Sequence, residues 1–214
     1  MSEPRPRAGV TRREMLALGG AGLGAAAGGA LVAAAGGILL DASPATATSL
    51  PSPTDADRLR RLVSVELLML YCYEHVLAGP LLRPRAHRLM LPVRGQEEAH
   101  VRVLSSRLAA LGGTPPVGPA SVKEADRDLA RRGVGGRLNQ LQGGRDALFL
   151  LLAVEQVVVG AYFVALTKLD DVRLVALAAQ IMANDAQHEA LVGEALHPGQ
   201  AQKAVPYGLV QGIQ

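Results

Sequence analysis

After Pro53, proline leaves three long stretches of this chain free to form helices. A proline inside a helix removes one backbone hydrogen bond and clashes with the preceding turn. The proline-free stretches are residues 54–79, 93–114 and 120–197. Glycines near residues 135 and 143 divide the third stretch. The pattern predicts a weaker helix within 121–132 and four long helices, over residues 54–79, about 92–112, 145–169 and 171–196.

Apolar residues recur at helical spacing in each long segment, and no segment alternates convincingly with the period of a strand. These stripes are Leu59/Leu62/Leu70/Leu77, Val101/Leu104/Leu108/Leu111, Leu148/Leu152/Val159/Leu166 and Leu174/Ala178/Ile181/Val192. Two short links and one long link, residues 113–144, join the four segments. The sequence therefore predicts an all-α fold, an antiparallel four-helix bundle with one long crossover between helices two and three.

Residues 1–47 have the composition of a targeting segment. Arg12 and Arg13 precede an uncharged stretch, residues 15–40, in which 17 of 26 residues are alanine or glycine. The segment Ala45-Thr46-Ala47 supplies the small residues that a signal peptidase accepts. Together these features resemble a bacterial twin-arginine export signal, which implies export across the cytoplasmic membrane to the periplasm, the cell-wall space or the medium. The alternative is an uncleaved N-terminal membrane anchor.

The remaining sequence then divides into a linker (48–53), a helical domain (54–196) and a C-terminal tail (197–214). The charges of this part give no basic cluster of the kind that follows nucleic-acid phosphates, so we expect no nucleic-acid partner. Cys72 is the only cysteine, which excludes a disulfide within the chain.

Acidic residues and histidines interrupt the apolar stripes, where a helix should present only its core face. The interruptions are Glu66 in helix one, Glu97 and His100 in helix two, Glu155 in helix three, and Asp185 and His188 in helix four. Burying an unpaired carboxylate costs several kcal/mol. No lysine or arginine lies on the stripes nearby, so a pair of metal ions is the natural counter-charge.

The two halves of the domain repeat one pattern. An offset of 89 residues carries Glu66 to Glu155 and Tyr73 to Tyr162, and an offset of 88 carries Glu97-x-x-His100 to Asp185-x-x-His188. A spacing of three places an acid and an imidazole on one helix face, where both can reach the same ion. Four carboxylates and two imidazoles suit a pair of iron or manganese ions.

This pattern resembles the ferritin-like family of di-iron and di-manganese carboxylate proteins over roughly residues 55–196. The segments VELLMLYCYEHVL, GQEEAHVRVLSSRLAALGG and NDAQHEALV are similar to those of exported bacterial ferritin-like proteins. The resemblance implies that Glu97 and Asp185 bridge the metals, that Glu66 and Glu155 are terminal ligands, and that His100 and His188 bind one metal each. Asp185 departs from the usual Glu, and its shorter side chain puts bridging on that side in doubt.

Other polar residues receive simpler interpretations. Tyr73 and Tyr162 either hydrogen-bond the ligands or pack in the core. We expect Glu74, His75 and Glu98 at the surface, His87 in a loop, and Glu189 and Glu194 on the outer face of helix four.

Two functions follow from this pattern. The first is redox chemistry at two iron ions, or alternatively manganese, with O2 or peroxide as substrate: ferroxidation, peroxide removal or a catalase-like reaction. The second is a metal-free helical module with a structural, stress-related or partner-binding role. Residues 147–167 contain one charge, Glu155, which indicates a buried helix that packs partly against another subunit in a homodimer. Contact with a membrane is expected only through an uncleaved signal.

Overall fold

The computed structural model describes residues 53–204, which are helical apart from loops and turns and contain no strand. The predicted export signal, most of the predicted linker and the tail from residue 205 lie outside the described residues. The helices are α1 (Asp55–Ala78), α2 (Pro84–Ala110), α3 (Val122–Arg131), α4 (Gly144–Leu166), α5 (Val172–Leu196) and α6 (Ala201–Ala204), with a 3-10 turn at Leu138–Gln140.

The helix boundaries follow from local capping. Thr54 and Asp57 form a capping box at the start of α1, in which each side chain accepts a hydrogen bond from the other residue's backbone N–H. Asp171 caps α5 by accepting from the backbone N–H of Arg173. The predicted weaker helix is α3, which Ser121 caps.

The predicted start of helix two at Pro92 is wrong. The helix begins eight residues earlier, with Pro84 in its first turn, where the fixed φ of proline suits a helix and its missing N–H costs nothing. Pro92 lies inside the helix on its exposed side. Met90 and Val93 are both fully buried, so core packing on either side of Pro92 favours a continuous helix over a break.

The four long helices share one apolar core. α1 packs on α2 and α4, and α5 packs on α4 and α2. At one end, the Asp55 carboxylate accepts hydrogen bonds from the backbone N–H groups of Asp170 and Asp171, which joins the start of α1 to the α4–α5 loop. At the other end, Gly144 approaches Leu81 so closely that a Cβ would lie 2.6 Å from the Leu81 carbonyl oxygen.

Among the described helices, only α4 is long and apolar enough to span a bilayer by length and composition, and 56% of its most apolar window is buried inside the protein. Glu155 is fully buried at its middle. The apolar character of α4 is therefore explained in large part by the core that the four helices share.

A buried carboxylate organises the segment between α2 and α4. Asp126 on α3 accepts hydrogen bonds from the backbone N–H of Leu138 at 2.6 Å and of Asn139 at 3.5 Å. Arg132 donates to the Ser64 hydroxyl of α1 at 3.1 Å. These contacts fix the 3-10 turn to α3 and fix the end of α3 to α1.

We expect Asp126→Ala to lower the free energy of unfolding by about 1–3 kcal/mol, because it leaves the buried N–H of Leu138 without its acceptor. Urea denaturation followed by circular dichroism measures this change. Arg127→Ala, on the exposed side of the same helix, is the control and should change stability by less than about 0.5 kcal/mol. Equal stability of the two variants would show that Asp126 does not hold the turn.

Candidate metal centre

The structure brings all six predicted metal-site residues together in the shared core. Each long helix contributes at least one, and all six are buried. They are Glu66 from α1, Glu97 and His100 from α2, Glu155 from α4, and Asp185 and His188 from α5. The acid-x-x-His spacing puts each imidazole one turn from its acid on the core side of the helix.

The six side chains form two overlapping groups. In one group, ligand atoms of Glu66, Glu97, His100 and Asp185 all lie within 4.8 Å of one another. In the other, the same holds for Glu155 and His188 together with Glu97 and Asp185. Glu97 and Asp185 belong to both groups. The geometry therefore provides two adjacent positions for a cation that share two carboxylates.

The two shared carboxylates face the histidines differently. Glu97 uses separate oxygens: Oε2 lies 3.5 Å from His100 Nδ1, and Oε1 lies 2.7 Å from His188 Nδ1. Asp185 presents one oxygen to both, with Oδ1 at 3.3 Å from His100 Nδ1 and 3.7 Å from His188 Nδ1. The shorter aspartate thus still reaches both sides of the site.

The atoms that face one another lack ordinary partners. Within residues 53–204, nine buried side-chain nitrogen or oxygen atoms make no hydrogen bond, and eight of them belong to these six residues. Even the short contact between His188 Nδ1 and Glu97 Oε1 lacks hydrogen-bond geometry. Buried polar atoms are normally paired. Such a concentration of unpaired ligand atoms is what a buried cation site requires.

Two tyrosines hold the carboxylates that belong to only one group, and they do so reciprocally. The Tyr73 hydroxyl of α1 donates to Glu155 Oε1 of α4 at 2.6 Å. The Tyr162 hydroxyl of α4 donates to Glu66 Oε1 of α1. Each bond occupies one carboxylate oxygen and leaves the other, Oε2, unpaired. Of the two interpretations of these tyrosines, the structure shows the hydrogen-bonded one.

Two amides that the sequence analysis missed hold the histidines. His188 Nε2 lies 2.6 Å from Gln96 Oε1, and His100 Nε2 lies 3.0 Å from Asn184 Oδ1. An amide oxygen can only accept, so Nε2 must donate and Nδ1 is left to face the carboxylates. Gln96 and Asn184 each directly precede a shared acid and are 88 residues apart, so the internal repeat was the signal that could have found them.

Crowding and burial perturb the carboxyl groups in the absence of a cation. Burial raises the pKa of Glu66 to about 7. Burial, and then repulsion from neighbouring carboxylates, raise the pKa values of Glu155 and Asp185 well above the usual range. Burial also opposes ionisation of Glu97, but its close contacts with both imidazoles lower its pKa to about 2.

His100 shows the opposite perturbation. Burial alone would lower its pKa, but the neighbouring carboxylates of Glu66 and Glu97 raise it to about 10. Protons on His100 and on several carboxyl groups therefore balance the charge of the site when no cation is bound.

Outside the site, the surface predictions hold for Glu74 and Glu98, which are exposed and form ion pairs with Arg94.

The prediction for Glu189 is wrong: this residue is only 4% exposed, one turn beyond Asp185, and burial raises its pKa to about 7. Val192 and Gly193, on the next turn of α5, are buried as well. His87 lies within α2 and not in a loop.

Comparison with known families agrees with this geometry. Residues 54–198, more than half of the chain, match the family model described as a ferritin-like domain. The chain belongs to the ferritin-like domain family. No curated protein matches the chain in sequence. Ferritin-like domains often bind iron, and this ferritin-like domain has buried acidic and imidazole groups that could hold a metal.

The pKa shifts predict how the stability of the cation-free protein depends on pH. Glu66 has a pKa of about 7 in the folded protein against an ordinary value of 4.5 for an exposed glutamate, so the folded state retains a proton that the unfolded state has lost. Its contribution, on the order of 3 kcal/mol, is complete below pH 4.5 and is lost as pH rises through 7. Glu155 and Asp185 act in the same direction.

We therefore expect the melting temperature of chelator-treated protein to fall between pH 5 and pH 8, as measured by circular dichroism. The lowered pKa of Glu97 acts only in acid, where its contribution is lost below pH 4.5. A cation would replace the protons, so metal-loaded protein should lack this decline. A melting temperature of the chelator-treated protein that stays constant between pH 5 and pH 8 would contradict the raised pKa values of these carboxyl groups.

Gln96 provides a test of how the histidines are held. Since Gln96 is solvent-exposed apart from its bond to His188, Gln96→Ala should change the folding stability little. It should weaken metal binding by about 10–100-fold, the usual effect of removing a partner of a ligating histidine. Titration calorimetry with Mn(II) measures the affinity, and Gln187→Ala, an exposed glutamine of α5, is the control. Unchanged affinity in Gln96→Ala would show that the imidazole needs no amide partner.

Proposed function

We propose that this ferritin-like protein binds two iron ions, or alternatively two manganese ions, and uses them in redox chemistry with O2 or peroxide. The observation that carries the proposal is the set of eight buried ligand atoms without hydrogen-bond partners, which belong to six side chains clustered in the core. Within residues 53–204, the ion-pair contacts of these groups are made only among the six residues themselves, between the two histidines and the four carboxylates.

The residues fit a metal pair in number, charge and chemistry. Glu66 and His100 would hold one ion, Glu155 and His188 would hold the other, and the shared Glu97 and Asp185 would bind both. Four carboxylates balance the charge of two divalent ions, which removes the desolvation cost that the carboxylates bear alone. Oxygen donors completed by imidazole suit iron and manganese. When bound, such a pair supplies electron exchange with O2 or peroxide, as in ferroxidation, peroxide removal or a catalase-like reaction.

The protein's own groups prepare the site for this chemistry. Tyr73 and Tyr162 hold the two terminal carboxylates from the opposite helix, and each leaves one carboxylate oxygen, Oε2, without a hydrogen bond. Gln96 and Asn184 keep a proton on each Nε2, so that each imidazole offers Nδ1. The surrounding apolar core limits the access of water and of competing donors to the site.

The arrangement of the four long helices bears on the same site, because each of them contributes a residue to it. We propose that the four long helices form an antiparallel ferritin-like bundle, with the segment between α2 and α4 as the crossover. The hydrogen bonds of Asp55 to the α4–α5 loop, and the approach of Gly144 to Leu81, support this arrangement because they join opposite ends of α1 and α4. Residues 1–47 support export, or anchoring if they are not cleaved.

Elemental mass spectrometry on protein purified without chelator tests the proposal. We expect about two iron or manganese ions per chain, and less than about one-tenth of that in Glu97→Gln, since Glu97 serves both positions. Glu98→Gln is the matched control, because it makes the same change at the adjacent, exposed position. It should retain full metal content.

The dependence of the melting temperature on metal is a second test of the proposal. A bound metal pair should raise the melting temperature, and chelation should reverse the rise. Protein that contains no metal even after anaerobic Fe(II) loading, and whose melting temperature ignores chelators, would overturn the proposal in favour of a metal-free helical module. About one ion per chain would show that only one of the two positions is filled, as expected if the shorter Asp185 side chain fails to bind both ions.

A further inference from the structure

The outward face of α4 is apolar over nearly its whole length. Between Asp146 and Lys168 the only charged residue is Glu155, which points into the core. Both phenylalanines of the chain lie on the outward face: Phe149 is 43% exposed and Phe163 is 38% exposed. Between them, Ala153, Gln156 and Val157 are half-buried, so the apolar surface is most exposed near its two ends. An exposed apolar patch on a helix face marks an interaction site.

The residues on this face have a symmetric spacing. Phe149 and Phe163 each lie seven residues from Gln156, and seven residues are two helical turns, so all three share one side of α4. Gln156 is the only polar residue between the two phenylalanines on that side. If a second α4 lay antiparallel across a twofold axis through Gln156, Phe149 would meet Phe163 of the partner subunit, and Gln156 would meet its own copy.

We propose that a second copy of this chain covers this face, with the two α4 helices antiparallel about Gln156. A twofold interface requires each surface to be complementary to itself. The Gln156 side chain meets this requirement because a carboxamide has both a donor and an acceptor and can pair with an identical group. Each phenylalanine meets another, and no charge is buried.

Electrostatics favour a second copy over a charged partner. A charged surface would lose hydration against this face and find no opposite charge on it. The Arg145 guanidinium, by contrast, lies over the Phe149 ring at 5.2 Å from its centroid, at the first turn of α4. Antiparallel pairing would bring Arg145 to the C-terminal end of α4 of the partner subunit, where the helix carbonyls are partly negative.

The size of the outward face of α4 determines how strong the proposed dimer should be. With 23 residues, α4 is roughly 34 Å long, and a single helix face covers less than the ~800 Å² that each partner usually buries in a stable dimer. Flanking side chains must add to it. We therefore expect a weak dimer, which a trapping experiment detects better than a dilution experiment.

Gln156→Cys in the full chain is the direct test. A cysteine on the twofold axis faces its own copy, so mild oxidation should produce a disulfide-linked homodimer on a non-reducing gel. The native Cys72 is fully buried and should not contribute. Gln180→Cys is the matched control, because it places a cysteine at an exposed glutamine of α5. It should give no specific dimer.

A charge exchange tests the predicted register. Adding Phe149→Glu to Gln156→Cys should reduce the cross-linked fraction about tenfold, since a carboxylate would be buried against Phe163 of the partner subunit. Adding Phe163→Lys as well should restore cross-linking, because the twofold axis places the new charges opposite each other. A pair of Phe→Glu changes at the same two positions should not restore it.

Three results would overturn the proposal. The first is cross-linking of Gln156→Cys no greater than that of Gln180→Cys. The second is failure of the Glu and Lys pair to restore cross-linking. The third is flotation of the protein with vesicles of equal parts phosphatidylglycerol and phosphatidylethanolamine that Phe149→Glu abolishes, without cross-linking at Gln156→Cys. That result would assign the face to a lipid surface.

Discussion

The burial of four carboxylates in one apolar core is the constraint on which the rest of this structure depends. Without compensation, each would cost several kcal/mol, yet neither lysine nor arginine pairs with them in the described part of the chain. Two imidazoles and two tyrosine hydroxyls lie where they can compensate. Protons complete the balance when no cation is bound, and two divalent ions would do so without proton uptake.

Much of this arrangement was predictable because the repeat is simple. A carboxylate that recurs on an apolar stripe at offsets of 88 and 89 residues must either be buried or break the helix pattern, and Glu66, Glu97, Glu155 and Asp185 are all buried. The partners of the histidines were harder to find. Gln96 and Asn184 look like surface residues in sequence, and only the packing of α2 against α5 shows which rings they reach.

Two wrong predictions from sequence, for Pro92 and Glu189, have local physical causes. Pro92 was expected to start a helix, but the buried Met90 and Val93 beside it contribute more than one missing backbone hydrogen bond costs. Glu189 was placed on the outer face because it is charged, whereas tertiary packing around α5 buries it. Neither result could be obtained from periodicity alone, since both depend on which surfaces the neighbouring helices and the chain after α5 cover.

The reciprocal bonds around the site also decide when it can form. Tyr73 and Glu155 are 82 residues apart in the chain, Tyr162 and Glu66 are 96 apart, and the two imidazole–amide pairs are separated by 84 and 92 residues. Contacts at such separation carry a large loop-closure entropy and come late in folding. No helical hairpin of this chain could therefore hold the proposed metal pair alone, and acquisition of the ions would have to follow the docking of the two halves. By the same reasoning, any opening that separates the halves would release both ions together.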